Sequence, residues 1–544
     1  MRRLGIGVVV SVTLGMSLAA SRAAAPDVDR VFAKWNSTST PGCAVGVSVG
    51  GKPVVSTAYG MADLEHDVRN TPETVFEAGS VSKQFTAAAV LLLARDGKLS
   101  LDDPVRKYIP ELPDYPDGPL LVRHMLNHTS GLRDWGSIEA IAGWPRTSRV
   151  YTHAHVLEIV SRQRSLNFAP GTQWSYSNTG YNLAAMIVSR VSAMPFAEFT
   201  QKRLFAPVGM SHTSWRDDHT RIVKNRAIAY DDEKDGFHTD MPFERVYGNG
   251  GLLTTVGDLL KWNENFTSPI VGDAAFVEAE QAPGHFNDGR AHGYALGLMI
   301  HTDHGRRIVE HSGSTAGYQA HLVRYPDRHV SVAVLCNVAS AAATEYAHRV
   351  GEMFVGVAPE PDRRNAAFAA APEALDRIAG VYRDTRTGMT VTITHEKDAL
   401  RIARGPAFVP TSATRFVSDG GDVFEIADRH ARMTDSYGTA TTYERVDTPK
   451  PTMEQLRELT GTYSSDEAET SLTIALEGDR LVARRRPDTV LALTPVYTDA
   501  FRAPQLGLVI FRRNGAGRVA ELSVVQDRVW DLRFRRESGQ TSSQ

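Results

Sequence analysis

Ser80 and Lys83 stand three residues apart in Phe76-Glu77-Ala78-Gly79-Ser80-Val81-Ser82-Lys83-Gln84-Phe85, and a run without charge follows from Thr86 to Ala94. A serine hydroxyl is a weak nucleophile until a neighbouring base takes its proton. On a helix, residues three apart share a face, so the Lys83 amine reaches the Ser80 oxygen. The segment Val81–Leu93 is apolar nearly all round, which predicts burial. Burial lowers the proton affinity of an amine and makes it a base. A serine at a helix start also offers its own unpaired N–H, backed by the helix dipole, to a developing oxyanion.

Two further motifs carry chemistry. Tyr176-Ser177-Asn178 lies in a glycine-bounded loop, Gly171 to Gly180. A tyrosine hydroxyl beside a lysine can carry protons, and an asparagine side chain offers both an acceptor and a donor. His311-Ser312-Gly313-Ser314 runs into a stretch of strand character. There Gly313 lets a substrate lie close against backbone, and the Ser314 N–H is placed to complete an oxyanion hole. Taken singly, each motif is equally a solvated lysine, a satisfied polar loop or a structural histidine.

Together, Ser80-x-x-Lys83, Tyr176-x-Asn178 and His311-x-Gly313 resemble the serine β-lactamase and penicillin-recognising enzyme superfamily. That superfamily is marked by Ser-x-x-Lys, Ser-Asp-Asn and Lys-Thr-Gly in its class A members. The tyrosine motif is similar to the class C β-lactamase, D,D-peptidase and esterase branch; the histidine motif is similar to D-aminopeptidases. The stretches Leu126-Asn127-His128-Thr129-Ser130-Gly131-Leu132-Arg133-Asp134-Trp135 and Gly248-Asn249-Gly250-Gly251-Leu252-Leu253 also resemble this branch. The resemblance spans about residues 30–355. It implies that Ser80 accepts the acyl group and that Lys83 and Tyr176 share the base and acid roles. It implies further that Asn178, His311, Gly313 and Ser314 bind substrate.

The elements that must position these motifs read as follows. Residues 42–60 form a β-hairpin around Gly50-Gly51; 98–245 are mainly helices and loops; strands return over 307–337, and a helix over 340–355 closes the unit. This is an α/β (α+β) domain whose antiparallel sheet pairs its first strands with its last. The family's sheet order places Cys43 beside Cys336, and two reduced thiols are expected there. A Pro/Ala-rich linker is expected at 357–372. Beyond it, Ala379-Gly380-Val381-Tyr382 recurs as Thr460-Gly461-Thr462-Tyr463, and Glu373, Asp398 and Leu400 recur as Glu454, Asp479 and Leu481, all at one offset of 81 residues. Two small all-β, lipocalin-like barrels are expected, at 373–448 and 452–538, since closure removes sheet edges. Neither copy carries a visible catalytic constellation. The resemblance to D-aminopeptidases implies that a barrel loop borders the active site.

Composition narrows the partners. The chain has 544 residues, 23% of them charged, with a formal net charge of −3 and no basic stripe, which argues against nucleic acid. Arg2-Arg3, the apolar run Leu4–Ala20 and small residues to Ala25 predict a signal peptide over 1–23, a hydrolase domain over 26–356 and no stable membrane insertion after removal. The expected location is the bacterial periplasm or the medium. No cofactor and no metal are expected: two cysteines cannot build a cluster, none of the 18 histidines shows a familiar ligand spacing, and His301 reads as a solvated turn residue. The expected activity is that of a secreted serine hydrolase acting through an acyl-enzyme on a small peptide, ester or lactam. A D-amino-acid-specific peptidase of aminopeptidase or D,D-peptidase type comes first. An esterase or β-lactamase of the same fold is the alternative, and a non-catalytic peptidoglycan or penicillin sensor is the alternative from another class. Because a histidine with an ordinary pKa near 6.5 is mostly neutral at pH 7, strong attraction for substrate carboxylates is not expected. Natural substrate and oligomeric state are left open.

Overall fold

The hairpin expected near the N-terminus forms as strands β1 (Cys43–Val49) and β2 (Lys52–Tyr59), turned at Gly50 and Gly51, both with positive φ. The computed structural model describes residues 27–537 except 147, 304, 357–367, 369, 403–404, 419 and 436–437. The expected signal peptide and most of the expected linker therefore lie outside the described residues. Four later strands complete an antiparallel sheet: β3 (Met299–Asp303), β4 (Arg306–Thr315), β5 (Tyr318–Tyr325) and β6 (Val330–Cys336). Their order is β3-β4-β5-β6-β1-β2, so the first strands pair with the last.

Cys43 lies directly opposite Cys336 in the β1–β6 register, and their Cα atoms are 4.0 Å apart. The expectation of two reduced thiols is overturned: they form a disulfide. Directly opposed residues on neighbouring antiparallel strands point to the same face, and this spacing puts both sulfurs within bonding reach.

The sheet separates two cores. On one face the sheet packs against the helix Val256–Asn265, and that core continues into helix α1 (Lys83–Arg95), which is buried from Lys83 to Leu93, and into the helical insertion. Within that insertion lie α2 (Trp135–Ala142) and α3 (Asn178–Ser192). On the other face β1, β5 and β6 pack against α4 (Ala343–Val355) and the segment from Val28 to Trp35.

The repeat becomes two closed eight-stranded antiparallel barrels. Each opens with a short helix, α5 (Pro372–Ile378) and α6 (Met453–Glu458), whose first turns hold the repeated Glu373 and Glu454. α5 begins at the last residue of the expected linker. The first barrel runs from strand Gly380–Asp384 to Ala440–Val446, the second from Gly461–Ser465 to Val529–Arg536. Among the described residues no helix is long and apolar enough to cross a membrane.

Candidate active site

Ser80 sits on a 3-10 turn, Gly79–Ser82, that leads into α1; the regular α-helix starts at Lys83 rather than at the serine. A 3-10 turn stacks residues i and i+3, so the two side chains align more closely than on an α-helix. Two glycines let this turn meet strand β4. Gly79 has φ +49°, and a Cβ there would lie 2.6 Å from the Ser314 nitrogen. A Cβ on Gly313 would lie 2.0 Å from the Ala78 carbonyl and 3.0 Å from the Ser80 nitrogen. Any larger residue at either position pushes the strand off the nucleophile. Strand β3 pairs with β4 only from Arg306 to Glu310, so the edge from His311 to Thr315 is left open on the side of Ser80.

The Lys83 side chain is fully buried, and its Nζ lies 3.0 Å from Ser80 Oγ, 2.9 Å from Asn178 Oδ1 and 2.7 Å from the Asn249 carbonyl. Burial holds its pKa well below the ordinary lysine value, and the charge of Arg528 lowers it further. A neutral amine has two N–H bonds and one lone pair. The two carbonyl oxygens can only accept, so they take the protons. The lone pair is left for Ser80, the one partner able to donate. The geometry is that of a base aimed at a hydroxyl.

Asn178 is the first residue of α3. Its N–H donates to Asp134 Oδ2 at 2.8 Å, while Asp134 Oδ1 accepts from Ser137 N at 3.1 Å. One carboxylate thus caps α2 and α3 together and fixes the asparagine that grips Lys83. Tyr176 stands with its ring centroid 4.7 Å from Lys83 Nζ. Burial raises the phenol well above its ordinary pKa, against the opposing effects of a hydrogen bond with Ser80 and the charge of Arg528. The buried His128 ring, 4.2 Å away centroid to centroid, supports the Tyr176 ring from behind.

His311 lies inside β4 and is buried. Its Nδ1 is 2.6 Å from the Ser312 carbonyl, which can only accept, so Nδ1 carries the proton. Nε2 then accepts from the Tyr294 hydroxyl at 2.9 Å. Burial, and next the charge of Lys83, lower the imidazole to about 3, so it is neutral near pH 7. The Tyr176 and His311 ring centroids are 6.3 Å apart; the hydrogen-bond partner of His311 is Tyr294.

A cavity of about 810 Å³ opens over this arrangement. Of the seven residues singled out by sequence, Ser80, Tyr176, Asn178, His311, Gly313 and Ser314 line it, and Lys83 lies beneath. The structure thus brings all seven together. Sequence reasoning missed Arg528. It sits on the Asp527-Arg528 turn between the last two strands of the second barrel, Val519–Gln526 and Val529–Arg536. Its guanidinium lies 4.7 Å from the Tyr176 ring centroid, on the cavity wall. The resemblance implied a barrel loop beside the active site, and this turn is one; nothing in the sequence of the turn singles out Arg528 as the residue it supplies. Also missed were Tyr294 and the buried pair of Arg216 Nε and Glu77 Oε2 at 2.7 Å in the cavity wall. Glu77 did stand in the first motif.

Known proteins resemble this arrangement. The family model described as Beta-lactamase matches residues 28–352. The D-aminopeptidase of Gluconobacter oxydans (strain 621H) is 28% identical over 447 residues, covering 80% of this chain and 82% of the relative. The octameric penicillin-binding protein homologue from Pyrococcus abyssi superposes with a TM-score of 0.54 at 25% identity, covering 74% of this chain and 96% of that one. The crystal structure of SurE covers 94% of this chain and 97% of its own, with a TM-score of 0.52 at 21% identity, and so shares the fold across the barrels as well.

Proposed function

The chain belongs to the Beta-lactamase family and is a serine hydrolase, and on that premise we propose that it cleaves amide bonds of D-amino acid derivatives through an acyl-enzyme on Ser80. The observation that carries this reading is the amine of Lys83, 3.0 Å from Ser80 Oγ with its two other contacts on obligate acceptors. D-stereospecificity rests on the likeness to a D-aminopeptidase.

In this mechanism Lys83 takes the hydroxyl proton as Ser80 Oγ attacks the substrate carbonyl. The Ser80 and Ser314 N–H groups hold the oxyanion. The raised pKa of Tyr176 keeps its proton available, so it protonates the leaving nitrogen and recovers a proton from Lys83. The amine departs, leaving an ester on Ser80. Water then adds, with the same pair returning its proton, to release the acid and restore the serine. An intact Ser80, Lys83 and Tyr176 at working distances speaks against a sensor that has lost catalysis.

This reading assigns 26–356 to the hydrolase and 373–448 and 452–538 to the barrels. It also places the protein outside the bacterial cytoplasm: the N-terminal segment reads as a signal peptide, and the Cys43–Cys336 disulfide fits an oxidising compartment.

Arg528 favours a second reading on substrate charge. Among the described residues no carboxylate pairs with the Arg528 guanidinium, which lies over the Tyr176 ring on the cavity wall and is placed to receive an anionic substrate group. It supplies the positive charge that the neutral His311 does not, and so favours substrates with a free carboxylate, D,D-dipeptides or penicillin-like lactams. Steady-state rates on D- and L-alanine amide, an acylated D-Ala-D-Ala peptide, a nitrophenyl ester and nitrocefin test both. At least a tenfold preference for D- over L-alanine amide is expected. Equal rates on the two enantiomers would overturn the D-specific reading.

A further inference from the structure

Behind strand β4, on the face away from Ser80, one carboxylate gathers three imidazoles. Adjacent residues of a strand point to opposite faces. His311 therefore faces the catalytic cavity while Glu310 faces α4. Glu310 Oε1 lies 3.1 Å from His301 Nε2; Oε2 lies 3.1 Å from His321 Nε2 and 2.6 Å from His348 Nε2. The four side chains come from four elements, β3, β4, β5 and α4. The three histidines stand 9, 11 and 38 residues from Glu310 in sequence, which is why no ligand spacing was visible. His301, expected to be solvated, has a side chain only 16% exposed.

We propose that Glu310, His321 and His348 bind a divalent transition metal ion, zinc by preference, that fastens α4 to the sheet behind the active site, with His301 holding the other Glu310 oxygen. The donor set of imidazole nitrogens and one carboxylate oxygen suits zinc. The ligand atoms of Glu310, His321 and His348 all lie within 4.8 Å of one another. A tetrahedral zinc ion, with bonds of about 2.0–2.2 Å, needs its ligand atoms roughly 3.3 Å apart, so small side-chain rotations admit it. His321 Nδ1 lies 3.0 Å from Thr344 Oγ1, the outer contact that fixes the orientation of a metal-bound imidazole. The His348 side chain is 35% exposed and gives the ion a path from solvent. The site lies on the face of β4 away from Ser80 and ties β4, β5 and α4 together, so it is structural and separate from the Ser80 chemistry.

The test uses the full-length, disulfide-bonded protein, stripped with chelator and dialysed against zinc or cobalt(II). The expected results are one equivalent of zinc per chain, intense visible bands of tetrahedral cobalt(II), and a melting temperature several degrees higher with zinc. His348→Ala and Glu310→Gln should each lower zinc affinity at least tenfold. Should either variant fail to fold, the cobalt spectrum of the unaltered protein decides. Less than a tenth of an equivalent of bound zinc, or stoichiometric zinc unaffected by both substitutions, would overturn the proposal; the former would leave a hydrogen-bonded Glu–His cluster. D-amide turnover is read separately, so failure here leaves the Ser80 reading standing.

Discussion

The two barrels are copies of one module, yet they stand in different relations to the catalytic centre. The core of the second barrel is continuous with that of the hydrolase, whereas the first keeps a core of its own. The second docks through a buried ion pair between Arg133 and Glu467. Arg133 also donates to the Asp531 carbonyl, and Arg486 to the Ala142 carbonyl; Asn167 Nδ2 donates to the Arg528 carbonyl and Asn167 Oδ1 accepts from Trp530 N. The first barrel reaches the hydrolase through Arg386 and Gln173 at 2.8 Å. Its Asp435 and Thr439 border a separate cavity of about 150 Å³ beside Trp174 and Tyr294. Its firmer contacts are to the other barrel, such as the Tyr497 hydroxyl donating to the Gly388 carbonyl. One fold, repeated, thus serves once as a wall of the active site and once as a neighbour of that wall. The difference lies in a few grafted side chains rather than in the barrel itself.

The comparison breaks most visibly at Arg133. Replacing it with methionine leaves the Glu467 carboxylate and Gln163 without their buried partner. A loss of about 3–5 kcal/mol in unfolding free energy is expected, measurable by denaturant titration. A loss below about 1 kcal/mol would mean that the second barrel is no better anchored than the first. Next in size is Arg528→Gln, which should lower kcat/KM for carboxylate-bearing substrates by about ten- to a hundredfold, the roughly 1.5–3 kcal/mol of a charged hydrogen bond, and spare neutral amides. Equal losses on both classes would show that Arg528 orders the site without reading charge.

The same variant sharpens the contrast through pH. The Arg528 charge lowers the Lys83 pKa, so removing it favours the ammonium form. The acid limb of kcat/KM, where Lys83 becomes protonated, should therefore move to higher pH. His311, near 3, adds no titration between pH 5 and 9. An unmoved acid limb would place the titrating base elsewhere. The smallest effect is expected from Arg386→Ala in the first barrel: its hydrogen bonds to Gln173 and Thr441 are exposed and its pair with Asp384 is long at 3.5 Å, so stability should change by less than about 1 kcal/mol.

Much of this was legible in sequence because it is local. The Ser80–Lys83 spacing, the Gly50-Gly51 turn and the 81-residue repeat each declare themselves within a short window, and the order of the sheet followed from the resemblance. The rest depends on distant segments meeting. Arg528 reaches Tyr176 across 352 residues of chain, comparable to the separation of the neighbouring Ser175–Asp527 contact. Glu310 collects histidines from three other elements. The cysteine pair was placed correctly on adjacent strands, but its oxidation depended on the exact register that puts Cys43 opposite Cys336. Tyr294 was invisible because a tyrosine in a loop carries no cue that a buried imidazole needs its hydroxyl.

The central claim is that Ser80 carries the acyl group, and it is tested most directly by trapping the intermediate. A D-alanine ester is turned over, quenched with acid within the first turnovers, and the digested protein is mapped by mass spectrometry. The account predicts one acyl mass increment on the peptide containing Ser80. It also predicts no increment in Ser80→Ala, whose turnover should fall about 10⁴-fold or more. An acyl mass on another residue, or turnover that persists undiminished in Ser80→Ala, would contradict it.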